Sequence, residues 1–386
     1  MYGGDGLARL DGRVVFAPYV LPGERVRAVP ERQKPGMVQA RTLEVLEPAA
    51  QRVEPQCPVF GRCGGCHYQH APYEYQIAAK KTILLEELRR LGKIDPPDEI
   101  AVVSGEPWGY RNRVQLHLER GQIGYWGPRS HNLCATAVCP VASPRINQAI
   151  GALAEMMRDG RWPRFVQSIE IFTDEEQVQL NVHDTERPVA RRFFDWCSEN
   201  IPGLVNGALD YHGQYRVSSN AFFQVNRFLL DSLVNVALED VEGETALDLY
   251  AGVGLFTLPM GKRFRQVTAV ESGGGASRDL RFNLDRAGLT QVKTDSATVE
   301  AYLERIKRTP EFVLVDPPRA GLGKQVVDRL KALRPRRLTI VACDPATLAR
   351  DLAALLAGGY RVQKMTMVDL FPQTFHLETV VHLRLE

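Results

Sequence analysis

The rhythm of apolar and polar positions changes along the chain. Over residues 1 to about 50, short apolar runs are broken by glycine and proline. Arg13-Val14-Val15-Phe16-Ala17, Arg25-Val26-Arg27-Ala28-Val29 and Thr42-Leu43-Glu44-Val45-Leu46 read as strands. Turns at Gly3-Gly4, Asp11-Gly12 and Pro22-Gly23 separate them. That texture predicts a small β-barrel. Over 73–91 the spacing of Ile77, Ile83, Leu84, Leu88 and Leu91 predicts a helix, with Gly92 as its stop. From about 100 to 220 the signals mix: GYRNRVQLHL and SIEIFTDEEQVQLNVH read as strands, INQAIGALAEMM as a helix. From about 228, helices and strands alternate regularly, with strands at 246–250, 267–270, 312–315 and 338–342. Such alternation predicts a doubly wound α/β fold with a parallel sheet, which binds ligands beyond the carboxyl ends of its strands.

Composition narrows this picture only slightly. The 386 residues are 44% hydrophobic and 24% charged, the profile of an ordinary soluble protein of two or three domains. No apolar run is long enough to cross a bilayer, and MYGGDGLARLDGR carries no apolar signal segment, so a cytoplasmic protein without a membrane partner is expected. In that compartment the seven cysteines are expected to be metal ligands, reactive thiols or core residues rather than disulfides. A net charge of +2 neither demands nor excludes a nucleic-acid partner. No repeat or low-complexity tract is present.

The predicted strand ends carry the candidate chemistry. DLYAGVGLFTLP places Gly252 and Gly254 where the backbone can approach a ligand ahead of a helix. The next strand ends in Glu271, an acid able to hold ribose hydroxyls; the third ends in Asp316-Pro317-Pro318-Arg319 and the fourth in Cys343. Thr257 stands where a dinucleotide fingerprint needs its third glycine, so the spacing favours S-adenosylmethionine. D-x-x-x-G-x-G resembles the first motif of class I methyltransferases, and DPPR resembles their fourth, although Asp316 alone could be a simple turn former.

Cys343 read alone is a small core residue. Its setting points elsewhere: Asp344 can cap a helix, Pro345 suits the first helical position, and a leucine stripe follows. The helix dipole is expected to favour a thiolate, with Asp344 partly offsetting it. A thiolate beside a methyl donor suits methylation at C5 of uracil, where addition to C6 turns C5 into a nucleophile and a base later removes the C5 proton. Glu378, in an apolar run near the C-terminus, is the candidate base; the alternative is an exposed strand carboxylate.

CDPATLARDL, HLETVV, DPPRAGL and FFQVN together resemble the RNA 5-methyluridine methyltransferases over nearly the whole chain. The resemblance implies Cys343 as nucleophile and Glu378 as base. It places Gln224, Tyr250, Gly252, Gly254, Glu271, Asp295 and Asp316 around S-adenosylmethionine. The family's usual S-C-N-P is here Ala342-Cys343-Asp344-Pro345, and Gly273-Gly274-Gly275 is also unusual.

Cys57-x5-Cys63-x2-Cys66 has metal-ligand spacing, with Cys139 the expected fourth ligand and Cys134 its competitor. The resemblance implies a [4Fe–4S] cluster; spacing alone accommodates zinc as well. The spacing of radical S-adenosylmethionine enzymes is absent, and Cys197 is expected to be an ordinary thiol. The first residues resemble the TRAM domain, an OB-like RNA-binding barrel, in which Arg25, Arg27, Arg32, Lys34 and Arg41 could hold phosphates or simply be solvated. The expected organisation is a TRAM-like barrel at 1–52, a central α+β domain with the cysteine cluster at 53–72 and 95–222, a helix at 73–94 packed on the catalytic domain, and a methyltransferase domain at 223–386. The expected partner is RNA presenting a flipped uridine, with 23S ribosomal RNA favoured and transfer RNA as the alternative; a monomer is expected. Methylation of an exocyclic amine and a non-catalytic iron–sulfur RNA-binding protein are the competing readings.

Overall fold

The computed structural model describes residues 1–97 and 99–386. The chain opens with β1 (Asp5–Leu10) and β2 (Arg13–Pro18), a hairpin across Asp11-Gly12. Both turn residues have positive φ, 49° and 75°, as a two-residue hairpin with the favoured twist requires. β3 (Arg25–Lys34) and β4 (Met37–Glu47) complete a sheet of order β1-β2-β4-β3. Among the described residues no ladder joins β3 back to β1, so the sheet is open and not the closed barrel the turn pattern predicts. Arg25 pairs with Glu47, Arg27 with Glu44 and Arg41 with Glu31, all exposed, so three of the five candidate phosphate-binding residues already have acidic partners.

α1 (Tyr73–Glu87) runs into one π turn, Leu88–Gly92. The left-handed residue that ends it is Lys93, at φ 52°, and not the predicted stop Gly92. Gly92 is needed for a different reason: a Cβ there would lie 2.9 Å from the Ala349 carbonyl oxygen. Ile83, Leu84 and Leu88 share a core with Leu247, Val313, Leu348 and Leu352 from the C-terminal half of the chain.

After β5 (Ala101–Val103) comes a six-stranded sheet of order β11-β10-β9-β6-β7-β8. It contains β6 (Arg113–Glu119), β7 (Gln122–Trp126), β8 (Leu133–Ala135), β9 (Val166–Thr173), β10 (Val178–Thr185) and β11 (Leu204–Val205). α2 (Pro144–Met156) and α3 (Arg191–Asn200) share its core. α2 has Ser143 as N-cap and proline at its first position, which starts the predicted INQAIGALAEMM helix. A small hairpin, β12 (Leu209–Tyr211) and β13 (Tyr215–Val217), leads to α4 (Leu230–Ala237).

The remaining elements alternate. They are β14 (Gly243–Leu249), α5 (Thr257–Arg263), β15 (Phe264–Val270), α6 (Gly274–Arg286), β16 (Val292–Asp295), α7 (Val299–Arg305), β17 (Phe312–Val315), α8 (Gly323–Leu333), β18 (Arg337–Ala342), α9 (Pro345–Leu356), β19 (Tyr360–Val368) and β20 (Glu378–Leu385). The sheet order is β16-β15-β14-β17-β18-β20-β19-β5. All neighbours are parallel except β20, which runs antiparallel to β18 and β19. Phe312-Val313-Leu314-Val315 is buried throughout, as a central strand covered on both faces must be. β5 joins the far edge beside β19, tying the segment before β6 into the eight-stranded sheet.

Candidate active site

The strand order reverses between β14 and β17, and the carboxyl ends of these strands and their neighbours gather the candidate residues. Cys343 is the first residue beyond β18, and Glu378 opens β20. Ala342 pairs with Thr379 as the last pair of that antiparallel register, so Cys343 and Glu378 adjoin it, one on each strand, and the Glu378 carboxyl acts on the Cys343 thiol. Sequence spacing alone could not show this, because 35 residues of helix, strand and loop separate them.

The helix after Cys343 starts as expected. Asp344 accepts hydrogen bonds from the N–H groups of Ala346 (3.0 Å) and Thr347 (2.8 Å), and Leu348, Leu352 and Leu355 are buried. The expectation of a stabilised thiolate is not met in the free protein. Burial, then the carboxyl groups of Glu378 and Asp316, push the Cys343 thiol up to about 12, with Arg319 opposing them. Here burial and two nearby acids outweigh a helix end. Glu378 is 3% exposed, and its Oε1 has no hydrogen-bond partner among the described residues. Burial and Asp316 hold its carboxyl well above the usual range, against Arg319. It is therefore not the exposed strand carboxylate of the alternative reading. Burial and Asp248 likewise raise Asp316.

The glycine loop is shaped by its own backbone. Tyr250, Gly252 and Gly254 have φ of 64°, 56° and 102°. A Cβ on Gly254 would come within 2.7 Å of Leu258 and 2.8 Å of Leu280, whereas one on Gly252 would meet open space. Glu271 braces the loop: Oε2 accepts from Gly252 N–H at 2.9 Å and Oε1 from Gly273 N–H at 2.5 Å. Each oxygen keeps a lone pair for a ligand hydroxyl. A Cβ on Gly273 would lie 2.9 Å from Glu271 Oε1, which accounts for the start of the unusual glycine run. Asp295 ends β16 on the same edge, where its carboxylate pairs with Arg305. Gln224 is buried in a segment fixed by Asn112 N–H to the Val225 carbonyl and Asn226 Nδ2 to the Leu370 carbonyl. The open space above Gly252, with the unpartnered buried Asp248 Oδ1, suits a polar ligand of the S-adenosylmethionine kind at this edge.

Sequence reasoning passed over three contributors. Arg319 is the cation facing both Cys343 and Glu378. Tyr2 reaches Asp344 from the other end of the chain. The loop before Glu378 is held by α1: Lys80 pairs with Asp369 at 2.6 Å, and Gln76 and Gln373 exchange two bonds of 2.9 Å. Only Arg319, inside DPPR, carried a sequence signal.

Away from this edge, Cys57, Cys63, Cys66 and Cys139 line one cavity of about 260 Å³. Cys134 is buried in β8 and is not among the lining residues. Burial raises Cys63 to about 11 and Cys66 to about 12, and the neighbouring cysteines add to the effect. Among the described residues no group of three or more His, Cys, Asp or Glu side chains is arranged to hold a metal ion. Cys197 is a buried core thiol of α3. Nor is any helix among the described residues long and apolar enough to cross a membrane.

Comparison with known proteins extends the site to a family. A family model described as tRNA (Uracil-5-)-methyltransferase matches residues 205–386. The 23S rRNA (uracil(1939)-C(5))-methyltransferase of Alkalilimnicola ehrlichii is 33% identical, the match covering 98% of this chain and 93% of that protein. An uncharacterized RNA methyltransferase of Aquifex aeolicus is 31% identical over 100% of this chain and 97% of its own length. The crystal structure of Pyrococcus abyssi tRNA (uracil-54, C5)-methyltransferase with S-adenosyl-L-homocysteine has a TM-score of 0.79 and 26% identity, covering 99% of this chain and 98% of that one. The chain thus has the class I S-adenosylmethionine-dependent methyltransferase fold and belongs to the RNA uracil-C5 methyltransferase family.

Proposed function

We propose that Cys343 is the nucleophile and Glu378 the base in S-adenosylmethionine-dependent methylation of a flipped uridine at C5. What supports this is that Cys343 and Glu378 both adjoin the last Ala342–Thr379 pair of the β18–β20 ladder, with the Glu378 carboxyl acting on the thiol. The Cys343 thiolate bonds to C6, which makes C5 a carbon nucleophile. S-adenosylmethionine supplies the methyl group as a sulfonium, leaving as the neutral thioether. Glu378 then takes the C5 proton, the C5=C6 bond re-forms and the thiolate departs. Arg319 supplies the positive charge that both acidic partners need in order to ionise. The Gly252–Gly254 loop, Glu271 and Asp316 line the cofactor, with Gln224, Tyr250 and Asp295 completing the group.

Two finer readings go with it. The RNA is large-subunit ribosomal RNA, as in the Alkalilimnicola ehrlichii relative, in preference to transfer RNA as in the Pyrococcus abyssi protein. Cys57, Cys63, Cys66 and Cys139 hold a [4Fe–4S] cluster. Their shared cavity and all-thiol donor set support this reading. The same reading divides the chain into an open N-terminal sheet at 1–52, a central α+β domain at 53–72 and 95–222, a helix at 73–94 and a methyltransferase domain at 223–386. RNA carrying 5-fluorouridine tests the chemistry, because fluorine cannot leave as a cation and the C6 adduct persists. A stable adduct mapping to Cys343 is expected; turnover on uridine RNA with no adduct refutes the assignment.

A further inference from the structure

The residue after Cys343 is an aspartate, and both of its oxygens are engaged. Oδ1 caps α9 through Ala346 and Thr347. Oδ2 accepts a 2.8 Å bond from the Tyr2 hydroxyl, across 342 positions of sequence. The Tyr2 ring packs edge-on against Phe375, with centroids 5.4 Å apart at 89°, and Phe375 lies three residues before Glu378. One side chain from the turn before the N-terminal sheet therefore touches the segments on both sides of the proposed chemistry.

We infer that Tyr2 is a positioning residue for the nucleophile: its hydroxyl compensates the free oxygen of the Asp344 cap, so that this carboxylate does not oppose ionisation of the adjacent thiol. The inference rests on Cys343 acting as nucleophile. The reason for such a device lies in the site's charge. Glu378 from β20 and Asp316 from the β17 end already disfavour the thiolate, and Arg319 alone among the named groups opposes them. A third uncompensated carboxylate next to the sulfur would add to that cost. An asparagine at this place would need no such partner, whereas an aspartate gains from one. Burial and then Asp344 raise the Tyr2 hydroxyl well above its ordinary range, so it stays protonated and donates throughout the working range. Arg319 also faces Tyr2, Arg350 on α9 faces Asp344, and His376 sits on the Phe375 loop beside Arg319.

The N-terminal segment is held in this position. Asp5 pairs with Arg129 at 2.6 Å, and a Cβ on Gly4 would lie 3.1 Å from the His67 Cβ. Its placement is fixed by contacts with two other parts of the chain rather than by its own strand.

The test measures the rate of adduct formation on 5-fluorouridine RNA from pH 6 to 9, under single-turnover conditions with saturating cofactor. Tyr2→Phe keeps the ring and removes the donor. Its rate line should be displaced by about one pH unit, a roughly tenfold loss at any given pH, the size expected when one hydrogen bond to a charged group is removed. Cofactor affinity and melting temperature should be unchanged. In an Asp344→Asn background the same Tyr2→Phe change should have little effect, and the double variant should recover the lost rate. An unshifted Tyr2→Phe line, or an equal loss in the Asp344→Asn background, overturns the inference. Wild-type protein that methylates but forms no adduct overturns the reading of Cys343 itself, which distinguishes the two failures.

Discussion

Removing the Lys80 amine should loosen the loop that delivers Glu378, by an amount the structure bounds. Lys80 Nζ and Asp369 Oδ1 are 2.6 Å apart, and both side chains are fully buried. The amine also donates to the Phe371 carbonyl at 2.8 Å. At about 4 Å between charge centres and an effective dielectric near 20, the pair's attraction is about 4 kcal/mol. Lys80→Met keeps the length of the stem and strands Asp369. Removing one partner of a buried pair leaves an uncompensated buried charge, which costs about 3 to 5 kcal/mol. Amide hydrogen exchange over 369–378 reads the local opening energy without requiring the whole chain to unfold in one step. Lys80→Met should lose most protection there. Lys80→Met with Asp369→Leu should regain most of the loss, since no charge is left behind. Unchanged exchange, or a double variant as open as the single one, would refute this account of the loop.

Three other outcomes follow from the same geometry. Asp248 is fully buried, and burial raises it from 3.8 to about 7 despite the Thr257 hydrogen bond. A raised carboxyl stabilises the fold below its unfolded value and loses that contribution as pH rises through its folded value. Asp248→Asn should therefore raise the melting temperature at pH 8 relative to wild type and leave it nearly unchanged at pH 4, a difference worth about 4 kcal/mol at most; equal shifts at both pH values count against it. Gly254→Ala combines φ 102° with contacts of 2.7 and 2.8 Å and should cost about 2 to 4 kcal/mol in thermal or denaturant unfolding, whereas Gly252→Ala, facing open space, should cost the fold about 1 kcal/mol and mainly weaken cofactor binding by calorimetry. Cys139→Ala should abolish the iron content of anaerobically purified protein while Cys134→Ala retains it; the reverse pattern would exchange their roles.

Much of the catalytic half was legible in the chain, because its signals are local. β17 coincides with the predicted 312–315, and the strand predicted at 246–250 ends one residue early because Tyr250 turns to positive φ. Cap, proline and leucine stripe announced α9 from sequence, since each acts within a turn or two of its neighbour. The N-terminal sheet shows the limit. Its turns were readable, but closure depends on whether β3 meets β1, which no local pattern encodes.

The sequence by itself determined which residue types stand at the strand ends, the doubly wound order of elements, and the presence of a thiol, a late glutamate and a glycine loop. Tertiary structure alone decided that the thiol and the glutamate meet beside one strand pair, that burial and acids push the thiol up, that Tyr2 binds Asp344, and that α1 holds the loop before Glu378. The physical reason is range. Turn chemistry and periodicity act over a few residues and are written in the chain. Burial, charge coupling and register arise only when distant segments meet, and these contacts govern whether a cysteine can ionise.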